Sequence, residues 1–242
     1  MRLAQLKRKT LKTTPVVLMQ PSAAAHCLLE GRTLVCVARH GQTDWNLIKR
    51  LQGRENVPLN AMGHSQAETL AKLVLDIKKC GVSFAAVCTS PLDRAHETAK
   101  YVSRALDLGD PIIIERLIER DYGSLSGLTL EERIEKYPRG ERQAGNVETV
   151  PVAAKRMLHA LDDMLEASGR KTVVGVTHGG IINAVFSRLT QGEIGTGKTL
   201  SVNCGISLIA AGIGEAVPIA FNLQGENAVQ FIKTMIRFGA EL

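Results

Sequence analysis

The stretch that decides the fold is TLVCVARHG, residues 33–41, in which six mainly apolar residues run directly into Arg-His-Gly. A second apolar run, residues 172–177, ends in a similar way at His178-Gly179-Gly180. We interpret both runs as buried strands, because short continuous apolar runs are typical of strands in a parallel sheet. Open parallel sheets bind ligands at the carboxyl ends of their strands, so two histidines at such ends predict a ligand site.

Strand-like runs alternate with helical patterns from residue 33 onward, which predicts βαβ units, an α/β fold and a mainly parallel sheet. The predicted strands are 33–38, 84–89, 111–115, 172–177 and 205–210, with 217–222 as a possible edge strand. The predicted helices are 63–79, 91–107, 129–136, 149–167 and 226–238. We expect Ser90 to cap the second of these helices, with Pro91 in its first turn.

Charge is distributed unevenly along the 242 residues, whose formal net charge is +6. Residues 1–30 hold five Lys or Arg and one acid, so this segment carries +4 and the remainder only +2. We predict that residues 1–31 form a basic, poorly ordered leader and that residues 32–242 form a single domain. An organelle transit peptide is the alternative interpretation of residues 1–30, because they lack acids before Glu30.

The composition also excludes several classes of protein. A nearly neutral body with a basic tail gives little support to nucleic-acid binding. No apolar run approaches the ~20 residues that a membrane helix needs. The five cysteines show neither a disulfide nor a zinc spacing, so we expect a reducing compartment, most simply the cytoplasm.

Arg39, His40 and Gly41 form a chemically coherent group. Gly41 allows a sharp turn after the strand, Arg39 can bind two phosphate oxygens, and a neutral His40 can attack phosphorus. Arg94 follows another strand in the first turn of a predicted helix, a position that favours anions, and His178 adds a donor from a third strand end. These residues predict an anion site that supports covalent chemistry.

Further motifs follow in a fixed order: QTDWN (42–46), LQG (51–53), PLN (58–60), Gly63, SPLDRA (90–95), TA (98–99), ERDYG (119–123), GL (127–128) and THGG (177–180). With residues 39–41 they resemble the histidine phosphatase superfamily, and more narrowly its phosphoglycerate-mutase-like branch. The resemblance covers about residues 33–210. It implies a three-layer α/β/α sandwich around a mainly parallel sheet.

The resemblance also implies residue roles. His40 would be the nucleophile that takes the phosphoryl group, and Arg39, Arg94 and His178 would hold its oxygens. Glu119 would protonate the leaving oxygen and then activate the water that cleaves the phosphohistidine. The candidate substrate contacts are Gly41, Thr43, Asn46, Gln52, Gly53, Arg120, Tyr122 and Gly179. No cofactor and no metal are implied, and Glu119 in a solvated pair with Arg116 or Arg120 is the alternative for that residue.

Two departures from the mutases favour net hydrolysis. Cofactor-dependent mutases carry a lysine where this chain has Leu130, and they carry a long insertion before the second histidine. Only 55 residues separate Tyr122 from His178, too few for that insertion in addition to the helix 149–167. A mutase must shield phosphohistidine from water, so we predict a phosphomonoesterase for small phosphorylated metabolites, with a mutase as the alternative.

Two other classes of function remain possible. One is a non-catalytic protein that binds a phosphorylated ligand, although His40, Arg94, Glu119 and His178 are all present. The other is a nucleotide-binding protein, because residues 192–199 match the string G-x-x-x-x-G-K-T, but the expected order of strand, loop and helix is reversed there. We expect a small substrate, no nucleic-acid or membrane partner, and a monomer or homodimer.

Overall fold

The computed structural model describes residues 13–240 and Leu242. In this part of the chain seven strands form one sheet: β1 (Val16–Val17), β2 (Thr33–Arg39), β3 (Ala86–Thr89), β4 (Ile112–Ile113), β5 (Val173–Thr177), β6 (Ile206–Gly212) and β7 (Glu215–Leu223). The same residues form eight α-helices: α1 (Pro21–Leu29), α2 (Asp44–Leu47), α3 (Ala61–Lys79), α4 (Asp93–Leu106), α5 (Leu130–Lys136), α6 (Val150–Ala167), α7 (Gly179–Leu189) and α8 (Gly225–Arg237). This content confirms the predicted α/β class.

The sheet is mixed, with the strand order β1-β7-β6-β2-β5-β3-β4. Strands β2, β5, β3 and β4 are parallel to one another, as predicted, whereas β6 and β7 form an antiparallel hairpin beside β2. Only two residues, 213 and 214, join β6 to β7, and a connection this short cannot make the crossover that parallel strands require. Strand β7 is not an edge strand, because β1 pairs with it antiparallel.

Apolar side chains from the helices cover both faces of the sheet and complete the three layers. One cluster holds Leu70 and Val74 of α3, Val102 of α4 and Ile232 of α8. The other cluster, on the opposite face, holds side chains from α6 and α7, including Met157, Leu161 and Phe186. The helical periodicity of these segments predicts such one-sided burial. The central strands β2, β3 and β5 are therefore buried on both faces.

Part of the predicted leader belongs to the folded body. Strand β1 and helix α1 lie within residues 13–31, and Ala24 and Ala25 of α1 are fully buried in the cluster that contains α8. The small alanines let α1 pack closely. Pro21 stands at the first position of the helix, where a backbone N–H would have no partner within the helix, so proline is well tolerated. Residues 1–12 of the predicted leader lie outside the described residues.

Helix α4 begins three residues after Ser90. Leu92 occupies the N-cap position and gives no side-chain cap, so the predicted capping role of Ser90 is wrong. Pro91 disfavours a helical backbone at the residue before it, and Leu92 itself is extended, with φ −75° and ψ 133°. Ser90 is thereby free to face the site described below.

Within the described residues, no helix is both long enough and apolar enough to cross a membrane.

Candidate active site

A cavity of about 210 Å³ opens at the carboxyl ends of β2 and β5. Its lining contains four of the predicted catalytic residues and five of the predicted substrate contacts: Arg39, His40, Arg94, Glu119, Asn46, Gln52, Gly53, Tyr122 and Gly179. Pockets for drug-sized ligands usually measure ~300–1,000 Å³, so this cavity suits a small ligand. A larger cavity of about 520 Å³, beside α6 and the β6–β7 turn, holds none of the predicted site residues.

The imidazole of His40 is buried and held by both ring nitrogens. Its Nδ1 lies 2.6 Å from the carbonyl oxygen of Gly41, and its Nε2 lies 3.3 Å from Nε of Arg94. A carbonyl only accepts and a guanidinium only donates, so Nδ1 carries the proton and Nε2 presents its lone pair. This is the tautomer that a nucleophilic histidine needs.

Electrostatics keeps His40 neutral. Burial lowers the pKa of His40 well below 6.5, and the charges of Arg94 and Arg39 lower it further, while the bond to the Gly41 carbonyl opposes them. A neutral imidazole retains its lone pair over the physiological range.

The guanidinium of Arg94 is fixed by backbone carbonyls. It donates to Gly53 O at 2.8 Å and to Glu55 O at 2.6 Å, in addition to its bond with His40. Gly53, whose carbonyl accepts one of these bonds, has a left-handed backbone conformation with φ +54°, which favours glycine. Burial lowers the pKa of Arg94 to about 10, so its charge persists at neutral pH.

Arg39 places a second cation beside the same ring. Its Nη1 donates to Ser201 O at 2.6 Å, while its buried Nε has no partner among the described residues. A Cβ at Gly179 would lie 3.2 Å from that Nε, so glycine there leaves room for the guanidinium. An unpaired buried donor of this kind suits an anionic ligand.

The carboxylate of Glu119 is bound at the N-terminus of α7. It accepts from the amides of Gly180 and Ile181, each at 2.9 Å, and from the amide of Arg120 at 2.7 Å. Free N–H groups of a helix N-terminus favour a carboxylate at this position. The solvated pairing of Glu119 with Arg116 or Arg120 is therefore not observed, because the side chain is buried and faces α7.

The backbone that carries Glu119 is held from outside the cavity by Arg156 of α6. Arg156 donates to Arg116 O and Ile118 O, each at 2.7 Å, and to Glu119 O at 3.3 Å. Its guanidinium also binds Glu148 through two bonds of 2.9 and 2.8 Å. One side chain thus fixes three carbonyls of the segment that carries the carboxylate.

His178 lies behind the cavity lining, with its ring centroid 5.1 Å from that of His40. Its Nε2 is 2.7 Å from Oγ of Ser90, and its buried Nδ1 has no partner among the residues that the structure describes. Burial lowers the pKa of His178 well below 6.5, and the charge of Arg94 adds to this effect. His178 is therefore neutral and close to the nucleophile.

Three predicted substrate contacts do not line the cavity. Gly41 packs against Gly63 of α3, where a Cβ would overlap a backbone carbonyl. Thr43 is fully buried and organises the rim, since its hydroxyl donates to Gln52 at 3.0 Å and accepts from the amide of Asn46 at 3.2 Å. Arg120 lines a neighbouring pocket, because its guanidinium is engaged by Glu141 at 2.8 Å and by a backbone carbonyl.

The structure adds lining residues that the sequence analysis does not select: Arg50, Leu51, Gly180, Asn183, Leu200 and Ser201. Arg50 could have been considered as a cation next to the LQG motif, but Leu200 and Ser201 carry no motif signal. These two follow the string 192–199, which here is a series of turns between α7 and the chain that leads to β6. The string lacks the strand before it and the helix after it that a nucleotide loop needs, and it packs beside the cavity.

Asn203 is a further residue without a motif. Its amide nitrogen lies 2.9 Å from His40 O and 3.3 Å from Oδ1 of Asn46, so it joins the nucleophile loop to the rim. Over the described residues, no group of three or more His, Cys, Asp or Glu side chains is arranged to hold a metal ion.

Comparison with known proteins identifies the family of this chain. The family model described as histidine phosphatase superfamily (branch 1) matches residues 35–223. A Bacillus subtilis (strain 168) protein named as an uncharacterized phosphatase, PhoE, is 37% identical over 178 residues, which cover 73% of this chain and 88% of that protein.

The relatives also include mutases. A 2,3-bisphosphoglycerate-dependent phosphoglycerate mutase of Mesorhizobium japonicum is 29% identical over 216 residues, covering 82% of this chain and 96% of the mutase. Among solved structures, a mycobacterial glucosyl-3-phosphoglycerate phosphatase in complex with VO3 has a TM-score of 0.67. It is 24% identical and covers 79% of this chain and 100% of that chain, so it supports the fold alone.

Proposed function

Because this chain belongs to branch 1 of the histidine phosphatase superfamily, we propose that it hydrolyses small phosphorylated metabolites through a phosphohistidine at His40, without a metal ion. The observation that carries the proposal is the tautomer of His40. Its Nδ1–H is committed to Gly41 O, and its Nε2 lone pair faces a cation inside the cavity.

In the first step, the lone pair of His40 Nε2 forms a bond to phosphorus, and the bond between phosphorus and the ester oxygen breaks. The phosphoryl group replaces Arg94 Nε–H as the partner of Nε2. The Nδ1–H bond to Gly41 O stabilises the positive ring that results. Glu119, in its protonated form, gives its proton to the departing alkoxide, so the product alcohol leaves neutral.

In the second step, water attacks the phosphohistidine. Glu119, now a carboxylate, takes a proton from the water as the new bond to phosphorus forms. The bond between nitrogen and phosphorus breaks, its electron pair returns to His40 Nε2, and inorganic phosphate is released. Glu119 is protonated again by the proton taken from water, so the enzyme is back in its starting state.

Fixed positive charge stabilises both transition states. Arg39 and Arg94 line the cavity together with His40, and phosphoryl transfer depends chiefly on positioning and on charge stabilisation. Two guanidinium groups provide the charge that metal ions supply to other phosphoryl-transfer enzymes, which supports a reaction without metal.

The test is a phosphate-release assay over a panel of small phosphoesters in the presence of EDTA. We expect release from at least one ester, complete loss in His40→Ala, and unchanged rates in Lys198→Ala, which alters only the residues 192–199. Quenching with a labelled donor should place the label on His40. Label on another residue, or activity that EDTA abolishes, would contradict the proposal.

A mutase is the second candidate, because a mutase of similar length aligns over most of this chain. Its discriminating assay is the interconversion of 2- and 3-phosphoglycerate with catalytic 2,3-bisphosphoglycerate. Brisk interconversion without phosphate release from any ester would favour the mutase. Leu130, where mutases carry a lysine, supports hydrolysis.

A further inference from the structure

Ser90 connects the loop after β3 with the second histidine of the site. It is fully buried, and its Oγ lies 2.7 Å from His178 Nε2 and 3.3 Å from the backbone nitrogen of Leu92. The amide of Leu92 can only donate, so Ser90 Oγ accepts that bond. The hydroxyl proton of Ser90 therefore still needs an acceptor.

His178 Nε2 is the acceptor for that proton. Ser90 Oγ has two partners among the described residues, and one of them is a donor. If Nε2 carried a proton of its own, the hydroxyl proton would have no acceptor, and a buried unsatisfied donor costs about 1–3 kcal/mol. When Ser90 donates and Nε2 accepts, only Nδ1–H is left without a partner, whereas a protonated Nε2 would leave both the hydroxyl proton and the Nδ1 lone pair without one.

The proton of His178 must then be on Nδ1, because the ring is neutral and carries one N–H. That Nδ1 is buried and has no partner in the part of the chain that the structure describes. Arg39 Nε, at the end of the neighbouring strand, is another buried donor without a partner, and so is the hydroxyl of Ser201 in the cavity lining. His178 and Arg39 both stand at the carboxyl ends of strands beside His40, where the phosphoryl oxygens of the proposed reaction develop charge.

We propose that Ser90 is a positioning residue that fixes His178 as the Nδ1–H tautomer, so that an unpaired N–H is ready for a phosphoryl oxygen. This inference rests on the proposed function. Without Ser90 the ring can place its proton on Nε2, and a lone pair on Nδ1 would then repel the phosphoryl oxygens. Pre-organised donors of this kind act most strongly in the transition state.

The direct test is ¹⁵N NMR of the full chain with labelled histidine, at neutral pH and without ligand. Ring nitrogens with and without a proton have well-separated shifts, and comparison with His178→Gln assigns the signals. In the wild type we expect an unprotonated Nε2 and a protonated Nδ1 for His178. A protonated Nε2 overturns the inference, whatever the variants do.

Ser90→Ala supplies the second measurement. We expect a changed nitrogen pattern for His178 and an unchanged pattern for His40, whose tautomer is held by Gly41. Thr89→Val is the matched control, since the Thr89 hydroxyl is equally buried and donates to Ser90 O at 3.1 Å, with no contact to a histidine. An unaltered His178 pattern in Ser90→Ala contradicts the inference.

Kinetics separates positioning from support of the fold. Loss of a donor that acts in the transition state predicts a kcat about 10- to 100-fold lower in Ser90→Ala, with little change in KM. A variant that only loosened the fold would lower the melting temperature and disturb both histidines. The NMR result stands even if no phosphoester is turned over, so failure of the inference and failure of the proposed function are distinguishable.

Discussion

The imidazole of His40 is buried and lies near the charges of Arg94 and Arg39, and both conditions lower its pKa. The same conditions orient it, because Gly41 O accepts from Nδ1 and leaves Nε2 for the reaction. Glu119 is oriented equally strictly by three backbone amides. At the scale of single residues, a few fixed donors and acceptors therefore specify the tautomer of His40 and the orientation of both reactive side chains.

The acid role of Glu119 predicts a dependence on the leaving group. Glu119→Gln cannot supply a proton, so hydrolysis of alkyl phosphates, whose alkoxides are poor leaving groups, should slow by about 10²–10⁴-fold. Aryl phosphates with acidic phenols need less assistance and should slow much less. Steady-state rates over a series of esters measure the difference, and equal slowing across the series would count against this role.

The depressed pKa of His40 predicts a dependence of stability on pH. The unfolded chain binds a proton at about 6.5, whereas folded His40 does so only at lower pH. As pH falls below about 6.5 the unfolded state binds more protons than the folded state, so the free energy of unfolding decreases toward acid. Above that pH, the contribution of neutral His40 to stability is fully present. Urea unfolding from about pH 7.5 to about pH 5 should show a smaller loss in His40→Asn than in the wild type; parallel curves would refute the expectation.

At the scale of elements, a long loop is made rigid by a helix that does not touch the cavity. The segment from β4 to Glu119 has only one short helical turn, at Glu115–Leu117. Arg156 of α6 compensates by binding three of its carbonyls, and Glu148 neutralises the guanidinium. Glu119 is thus held from two sides: Arg156 of α6 binds its backbone, and the N-terminal amides of α7 bind its carboxylate.

Replacement of Arg156 should affect both stability and catalysis. Arg156→Ala removes two bonds from the largely buried Glu148 and leaves it with Arg54 at 3.7 Å and the amide of Asp121 at 3.0 Å, so we expect a loss of about 2 kcal/mol and a melting temperature lower by about 4–8 °C. We also expect kcat to fall, because the carbonyls around Glu119 lose their donor. Thermal melts and ester hydrolysis measure the two effects.

Arg116→Ala is the matched control for Arg156. Arg116 pairs with Asp163, but its side chain is 52% exposed, so the pair contributes about 0–1 kcal/mol. Equal losses in the two variants would mean that the carbonyl contacts of Arg156 contribute nothing measurable.

At the scale of the whole molecule, the sheet consists of a parallel half and an antiparallel half. Its parallel half brings the ends of β2, β3 and β5 together and so assembles the site. Its antiparallel half, β6, β7 and β1, closes the sheet and carries the N-terminal segment. The chemistry and the closure of the core therefore depend on different halves of the same sheet.

Truncation tests how far the folded body extends. Removal of residues 1–31 deletes β1 and exposes the apolar surface that α1 covers on α8, so we expect a lower melting temperature and poor solubility. Removal of residues 1–12 alone keeps every described contact and should leave melting unchanged. Equal stability of the two truncated chains would show that β1 and α1 contribute little.

Much of this was accessible from the sequence because the signals are local. The apolar runs before Arg39 and His178 predict strands from side-chain character alone, and their ends predict the site. The periodicity of residues 63–79 and 149–167 predicts helices that the structure contains with bounds within two residues. The predicted roles of His40, Arg94 and Glu119 are consistent with one cavity, and those roles stay predictions.

The sequence by itself determined the α/β class and which residue types follow the ends of the central strands, because hydrophobic pattern and motif order are properties of neighbouring residues. Only the tertiary structure decided that Arg120 turns to Glu141, that Ser90 binds His178 instead of capping α4, and that α1 belongs to the core. Each of these depends on residues far apart in the chain. The partner of a polar or apolar group is fixed by which distant surfaces come together on folding, and no local pattern encodes that.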